Sequence, residues 1–290
     1  MAEREPNLEL GVANSIWARE GSQFHQSFSD RVSRHYNAEV DSLPFDDAAR
    51  ERINSWVEEQ TRGKIDSILE GIMPNDVMHL INAIYFKASW LYVFREEDTE
   101  DGIFHNADGS EVELPMMRQS WAKYDYLDGE GFAALRLPYQ GGASMYLFLP
   151  DRDSSLPEFL DQLDGDGWAE WMEGFREGGG DIVIPRFEME YNATLNDALK
   201  AMGMGAAFGA GADFSDMGPG GLWIDRVVHQ AMVEVHEKGT EAAAATMVAI
   251  AESGPAFIFE FIVDRPFYFV ITDDQTGSVL FMGAVHELGE

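Results

Sequence analysis

The chain has 290 residues, carries 52 acidic against 20 basic side chains for a formal net charge of −32, and contains no cysteine. That balance excludes nucleic acid as a partner, because a phosphate backbone needs Lys and Arg to displace its counterions, and it disfavours anionic membranes. The missing thiols exclude disulfides, thiol nucleophiles and thiolate metal sites. They leave the redox compartment open.

Hydrophobic residues make up 45% of the chain and aromatics 12%, enough for a sizeable core and against disorder. The length fits one mixed domain, 1–290. No apolar window reaches 18 residues, so no spanning helix is expected. The start, Met1 to Asn7, lacks the basic and apolar runs of a signal peptide. Self-repulsion of this size strains a compact state, and salt screens it. A halophilic source and a generically acidic bacterial protein both fit.

In chain order, Leu8 to Trp17 reads as a strand. Gln23 to Tyr36 places Phe24, Phe28, Val32 and Tyr36 four apart, one face of a helix. Asp46 is a cap for a second helix with Ile53, Trp56 and Val57 on its buried face. Met78 to Phe86 is a nearly continuous apolar strand, of the kind covered on both faces. Strands follow at Glu111–Met117, Ala133–Leu137 and Met145–Leu149, then helices at Leu156–Leu163 and Trp168–Phe175. Asp181–Met189 is a strand, and Leu195–Met202 is a helix stopped by Gly203. Val227–Val235, Ile258–Val263, Phe267–Thr272 and Val279–His286 close the chain as strands. Strands and helices mixed without a βαβ rhythm indicate α+β.

Catalytic motifs are absent: there is no Gly-x-Ser-x-Gly elbow and no His-Glu-x-x-His. Gly203-Met204-Gly205 with Gly209 follows a helix, not the strand that a phosphate loop requires. His229 and His236, seven apart, fall on opposite faces of a strand and do not share a metal. No cofactor is implied.

The run from Glu237 to Ile250 is the most informative segment. At period two, Thr240, Ala242, Ala244, Thr246, Val248 and Ile250 share one face, small at first and apolar further on. It fits a strand buried in a sheet, while Ala251 to Pro255 reads as exposed loop. An Ala-rich helix fits the same residues.

The C-terminal text, Phe261-Ile262-Val263-Asp264-Arg265-Pro266-Phe267 and Phe281-Met282-Gly283, resembles the closing signature of the serpin superfamily. Asn82-Ala83-Ile84-Tyr85-Phe86-Lys87, Leu114-Pro115-Met116-Met117, Leu147-Phe148-Leu149-Pro150, Ile184-Pro185-Arg186-Phe187, Ala212-Asp213-Phe214-Ser215 and Val228-His229-Gln230-Ala231 match in order. The resemblance covers essentially the whole chain. It implies the serpin fold: a large central mixed sheet, further sheets, surrounding helices and an exposed reactive-centre loop at about 237–257. The family's first helices find no match, so an N-terminally truncated pattern is expected, with one face of the main sheet exposed and at a cost to stability.

What the resemblance implies is a monomeric inhibitor of serine proteases rather than an enzyme. It would act outside the cell by family habit, as a suicide substrate whose cleaved loop inserts into the main sheet. The hinge would be Glu237, Gly239, Thr240, Glu241, Ala242, Ala243, Ala244, Ala245 and Thr246. Counting forward from Glu237 places the scissile bond at Ser253-Gly254. Counting back from Pro266 disagrees, so the window is 250–255. It holds no Arg or Lys, which suits an elastase-like or subtilisin-like protease. Asn82 and His229 would form the latch where the sheet opens, and Trp90 the point where the loop first inserts. The alternatives are a non-inhibitory serpin relative and an inactive fragment that is merely cleaved. Thr240, small and uncharged, favours the inhibitor, because an unpaired charge buried there would cost several kcal/mol, to order of magnitude.

Overall fold

A computed structural model describes residues 8–73, 75–219, 221–240 and 258–289. The strands and helices in chain order are β1 (Leu8–Arg19), α1 (Gln26–Tyr36), β2 (Glu39–Leu43), α2 (Asp47–Gln60), β3 (Met78–Ser89), β4 (Glu100–His105), β5 (Glu111–Asp128), β6 (Phe132–Pro138) and β7 (Ala143–Pro150). They continue with α3 (Leu156–Leu160), α4 (Gly165–Gly174), β8 (Arg176–Pro185), β9 (Phe187–Thr194), α5 (Asn196–Leu199), β10 (Arg226–Val235), β11 (Gly239–Thr240), β12 (Ile258–Ile262), β13 (Phe267–Asp273) and β14 (Val279–Val285).

The chain folds into two compact units. One comprises Met1–Glu9, Lys87–Phe187 and Glu234–Glu290; the other comprises Leu10–Phe86 and Glu188–Val233. A six-stranded mixed sheet has the order β2-β1-β3-β10-β9, with β11 also on β3. An eight-stranded sheet has the order β12-β8-β5-β6-β7-β13-β14, with β4 on β5.

In the Leu10–Phe86 and Glu188–Val233 unit, the Asp46 carboxylate accepts from Ala49 N–H at 2.9 Å and starts α2. The helix then buries Ala49, Ile53, Trp56 and Val57. These pack with Trp17, Ile81, Ala83 and Val228 of the sheet strands. Trp17 and Trp56 meet edge to face at 5.8 Å. In the other unit, Phe132, Phe148 and Tyr268 on three neighbouring strands gather Phe159 of α3 and Trp168 and Trp171 of α4.

Three sequence expectations need correction. Phe24 precedes α1, no residue of that helix is buried, and Tyr36 is 65% exposed. Phe28 and Val32 instead line an apolar groove of about 380 Å³ with Ile16, Leu80 and Val227. The strand expected at Asp181–Met189 is two, divided at Arg186, whose N–H donates to Pro115 O on β5 at 2.8 Å, one residue past the last β8–β5 pair. The helix expected at Leu195–Met202 is present, an α-turn that widens into a π turn, and Gly203 ends it at φ 96°. Along β3, burial alternates between full and partial, so the strand is not evenly covered on both faces.

Candidate functional site: the root of the loop

β10 delivers the chain into a two-residue turn. His236 N–H donates to Gly239 O and Gly239 N–H donates to His236 O, both at 3.0 Å, so Glu237 and Lys238 form the turn. Gly239 has φ 127°, a conformation open almost only to glycine. A Cβ there would lie 2.2 Å from Ala88 O and 2.6 Å from both Ser89 Cα and Trp90 N. Glycine thus answers two demands, backbone dihedral and close approach. It lets Gly239 and Thr240 run antiparallel along β3, opposite Ser89 and Ala88.

The turn is fastened at three consecutive carbonyls. Trp90 Nε1 donates to His236 O at 2.9 Å. Phe94 N–H donates to Glu237 O at 2.9 Å and Trp90 N–H to Lys238 O at 3.0 Å. Trp90 is 1% exposed. Its ring stacks on Tyr139 at 4.2 Å and 9°, and Phe94 packs edge-on at 6.4 Å. The residue expected where the loop inserts is therefore a buried strut under the loop's first turn.

Glu237 is a buried carboxylate, 3% exposed. Its Oε1 accepts from Thr99 Oγ1 at 2.7 Å and from the Arg186 guanidinium. Burial by itself raises the carboxyl's pKa, but the bonds from Arg186 and Thr99 outweigh it and hold the group below its ordinary 4.5. Strand division at Arg186 and the Glu237 turn thus meet in one ion pair. Sequence reading counted Glu237 as hinge but found neither partner. The available signal was a lone acid beside a run of small residues, which needs a cation if it is buried.

In the other unit, His229 and Asn82 face one another in register on β10 and β3. His229 Nδ1 lies 2.7 Å from Asn82 Oδ1. Asn82 Nδ2 donates to Asn14 Oδ1 at 2.8 Å, and Asn14 Nδ2 donates to Tyr36 O at 3.1 Å. The carbonyl of Tyr36 can only accept, so every amide in the chain is oriented by it, and His229 must carry its proton on Nδ1. Burial lowers the His229 pKa below its ordinary 6.5 and so favours the neutral ring. Asn14, missed in the sequence, extends the pair across three strands.

Glu241, Ala242, Ala243, Ala244, Ala245, Thr246, Ser253 and Gly254 lie outside the described residues. Among the described residues, no three potential ligands gather into a metal site, and no helix is long and apolar enough to cross a membrane.

Residues 1–288 match the serpin family, described as serine protease inhibitors. The chain is 37% identical to human Serpin B4 over 286 residues, covering 95% of this chain and 73% of that protein. It is 36% identical over 282 residues to an uncharacterized serpin-like protein of Thermococcus kodakarensis, covering 94% of this chain and 65% of that one. Among solved structures, a thermophilic serpin, tengpin, in its native state, superposes with a TM-score of 0.89 at 32% identity, over 98% of this chain and 75% of that one. Human thyroxine-binding globulin superposes with a TM-score of 0.90 at 30% identity, over 99% of this chain and 77% of that one.

Proposed function

The chain belongs to the serpin family, and from that premise we propose that it is a suicide-substrate inhibitor of an elastase-like or subtilisin-like serine protease. The observation that carries the reading is the pairing of Gly239 and Thr240 with Ser89 and Ala88. The first residues of the segment run back along a strand of the six-stranded sheet. Those that follow at period two, Ala242, Ala244 and Thr246, are small and uncharged.

The protease serine would attack the Ser253 carbonyl, form an ester and release the Gly254 amine. The upstream half would then extend along β3, with the protease still esterified to its end. β10 would have to part from β3, so the His229–Asn82 hydrogen bond is assigned as the latch, and Trp90 as the fixed point where insertion begins. Ala-rich residues make that new strand possible, because bulky or charged ones could not be covered at low cost.

A second reading, a non-inhibitory serpin, is favoured by the similarity to thyroxine-binding globulin. Incubation with elastase and with subtilisin at low and high salt separates the two, read by denaturing gel and mass spectrometry. A denaturant-stable complex and a released peptide starting near Gly254 are expected. Intact loop, or cleavage with no complex, sinks the inhibitor reading.

A further inference from the structure

Trp121 is 68% exposed, although its ring is among the most costly to leave in water. It sits in β5 where the ladder to β8 slips. Gln119 pairs with Ile182 and Ala122 with Gly180, so Ser120 and Trp121 share Asp181. The bulge turns Trp121 to φ 54°, a left-handed conformation that a bulky residue seldom adopts. The Asp181 carboxylate holds it there, accepting from Trp121 N–H at 3.0 Å. Neither burial nor backbone preference explains this arrangement, and bulges commonly re-aim side chains at working surfaces.

The surroundings say what the indole is aimed at. Asp181 is in register with Glu260 on β12, so both carboxylates leave the same face, and both are exposed. Ile258, two residues before Glu260 and on that face, is 65% exposed. Glu177 and Lys123 complete the row, paired with each other at 4.0 Å. The row is therefore net acidic beside an exposed indole. Ile258 directly follows the 241–257 segment, so this surface lies where the proposed reactive loop rejoins the sheet.

We infer that Trp121, Asp181, Glu260 and Ile258 form a docking platform for the target protease, a second contact outside the loop it cleaves. The inference rests on the inhibitor reading. The fitting partner surface carries Arg or Lys beside an apolar patch. A guanidinium stacked on the indole meets the carboxylates and relieves their mutual repulsion. The chain's charge of −32 steers basic partners toward it. Tryptophan ringed by polar groups is the usual composition of an energetic centre in an interface.

The test is the second-order rate constant for covalent complex formation with elastase and with subtilisin, for the parent chain, Trp121→Gly, Trp121→Asn and Glu260→Lys. Glycine and asparagine both tolerate a positive φ, so the fold should survive. With at least one of the two proteases, both Trp121 variants should slow complex formation about ten-fold or more. The partition between trapping and cleavage should stay unchanged, and Glu260→Lys should slow it most at low salt. Parent-like rates in both Trp121 variants overturn the platform and leave the inhibitor reading standing. A parent chain whose loop neither protease cuts overturns the inhibitor reading, and the platform with it.

Discussion

At the scale of single residues, the loop root turns on Gly239. Its φ of 127° and the 2.2 Å between a hypothetical Cβ and Ala88 O act together. Gly239→Ala should therefore cost about 3 kcal/mol, above the 1–3 kcal/mol midpoint for backbone strain alone. Urea unfolding followed by tryptophan fluorescence measures it. A loss below about 0.5 kcal/mol would show that neither strain nor contact matters there. Glu237 is governed differently, by charge. Its depressed pKa means that its contribution is full above about pH 4.5 and is lost as pH falls through the lower folded value. Removing Arg186 leaves the buried carboxylate with the Thr99 hydroxyl and a backbone N–H but no cation. Because Arg186 is 45% exposed and screened by water, Arg186→Ala should cost only about 1–2 kcal/mol.

At the scale of elements, what the sequence made legible divides by physical cause. α2 announced itself through Asp46 and the spacing of Ile53, Trp56 and Val57, because a cap and a buried face are both local signals. β2 did not: Glu39–Leu43 is a polar edge strand that pairs parallel with Ser15–Arg19, and its order comes from the backbone of β1. β4 is as polar, and the far half of β5 is hidden by the slip at Trp121. The Phe24-to-Tyr36 spacing marks an apolar stripe, but spacing cannot say whether a stripe meets a core or borders a groove. In the candidate site, Asn82, His229 and Gly239 were readable one by one through family resemblance. Arg186, Thr99 and Asn14 were not, since only tertiary approach pairs them with Glu237 and Asn82.

The oriented amide chain yields a test at this scale. Asn82→Leu would remove the partner of the His229 Nδ1 proton and of the Asn14 acceptor, both half-buried and open to water in part, so a loss of about 1–2 kcal/mol is expected. His229 also ties stability to pH. Its folded pKa lies below 6.5, so its contribution is present above pH 6.5 and falls away as pH drops toward the folded value. His229→Gln should flatten part of that slope in equilibrium unfolding between pH 7 and 5. An unchanged slope would mean that His229 titrates alike folded and unfolded.

For the whole molecule, charge outweighs any single contact. With a net charge of −32, repulsion acts over distances comparable to the Debye length, about 10 Å at 0.1 M salt and 3 Å at 1 M. Raising NaCl from 0.1 to 1 M should lift the melting temperature by roughly 5 °C, the shift that about 2 kcal/mol produces in a protein of this size. A flat or falling curve would show the acidic side chains already neutralised by local pairing.

The three carbonyls of His236, Glu237 and Lys238, all bonded to Trp90 and Phe94, give the segment beyond them one anchored end. A pull applied downstream is shared among three bonds in parallel, braced by the Trp90–Tyr139 stack, so the anchor should yield last. In a force-extension experiment gripping a residue between 250 and 255, the first rupture should leave the Trp90 environment unchanged.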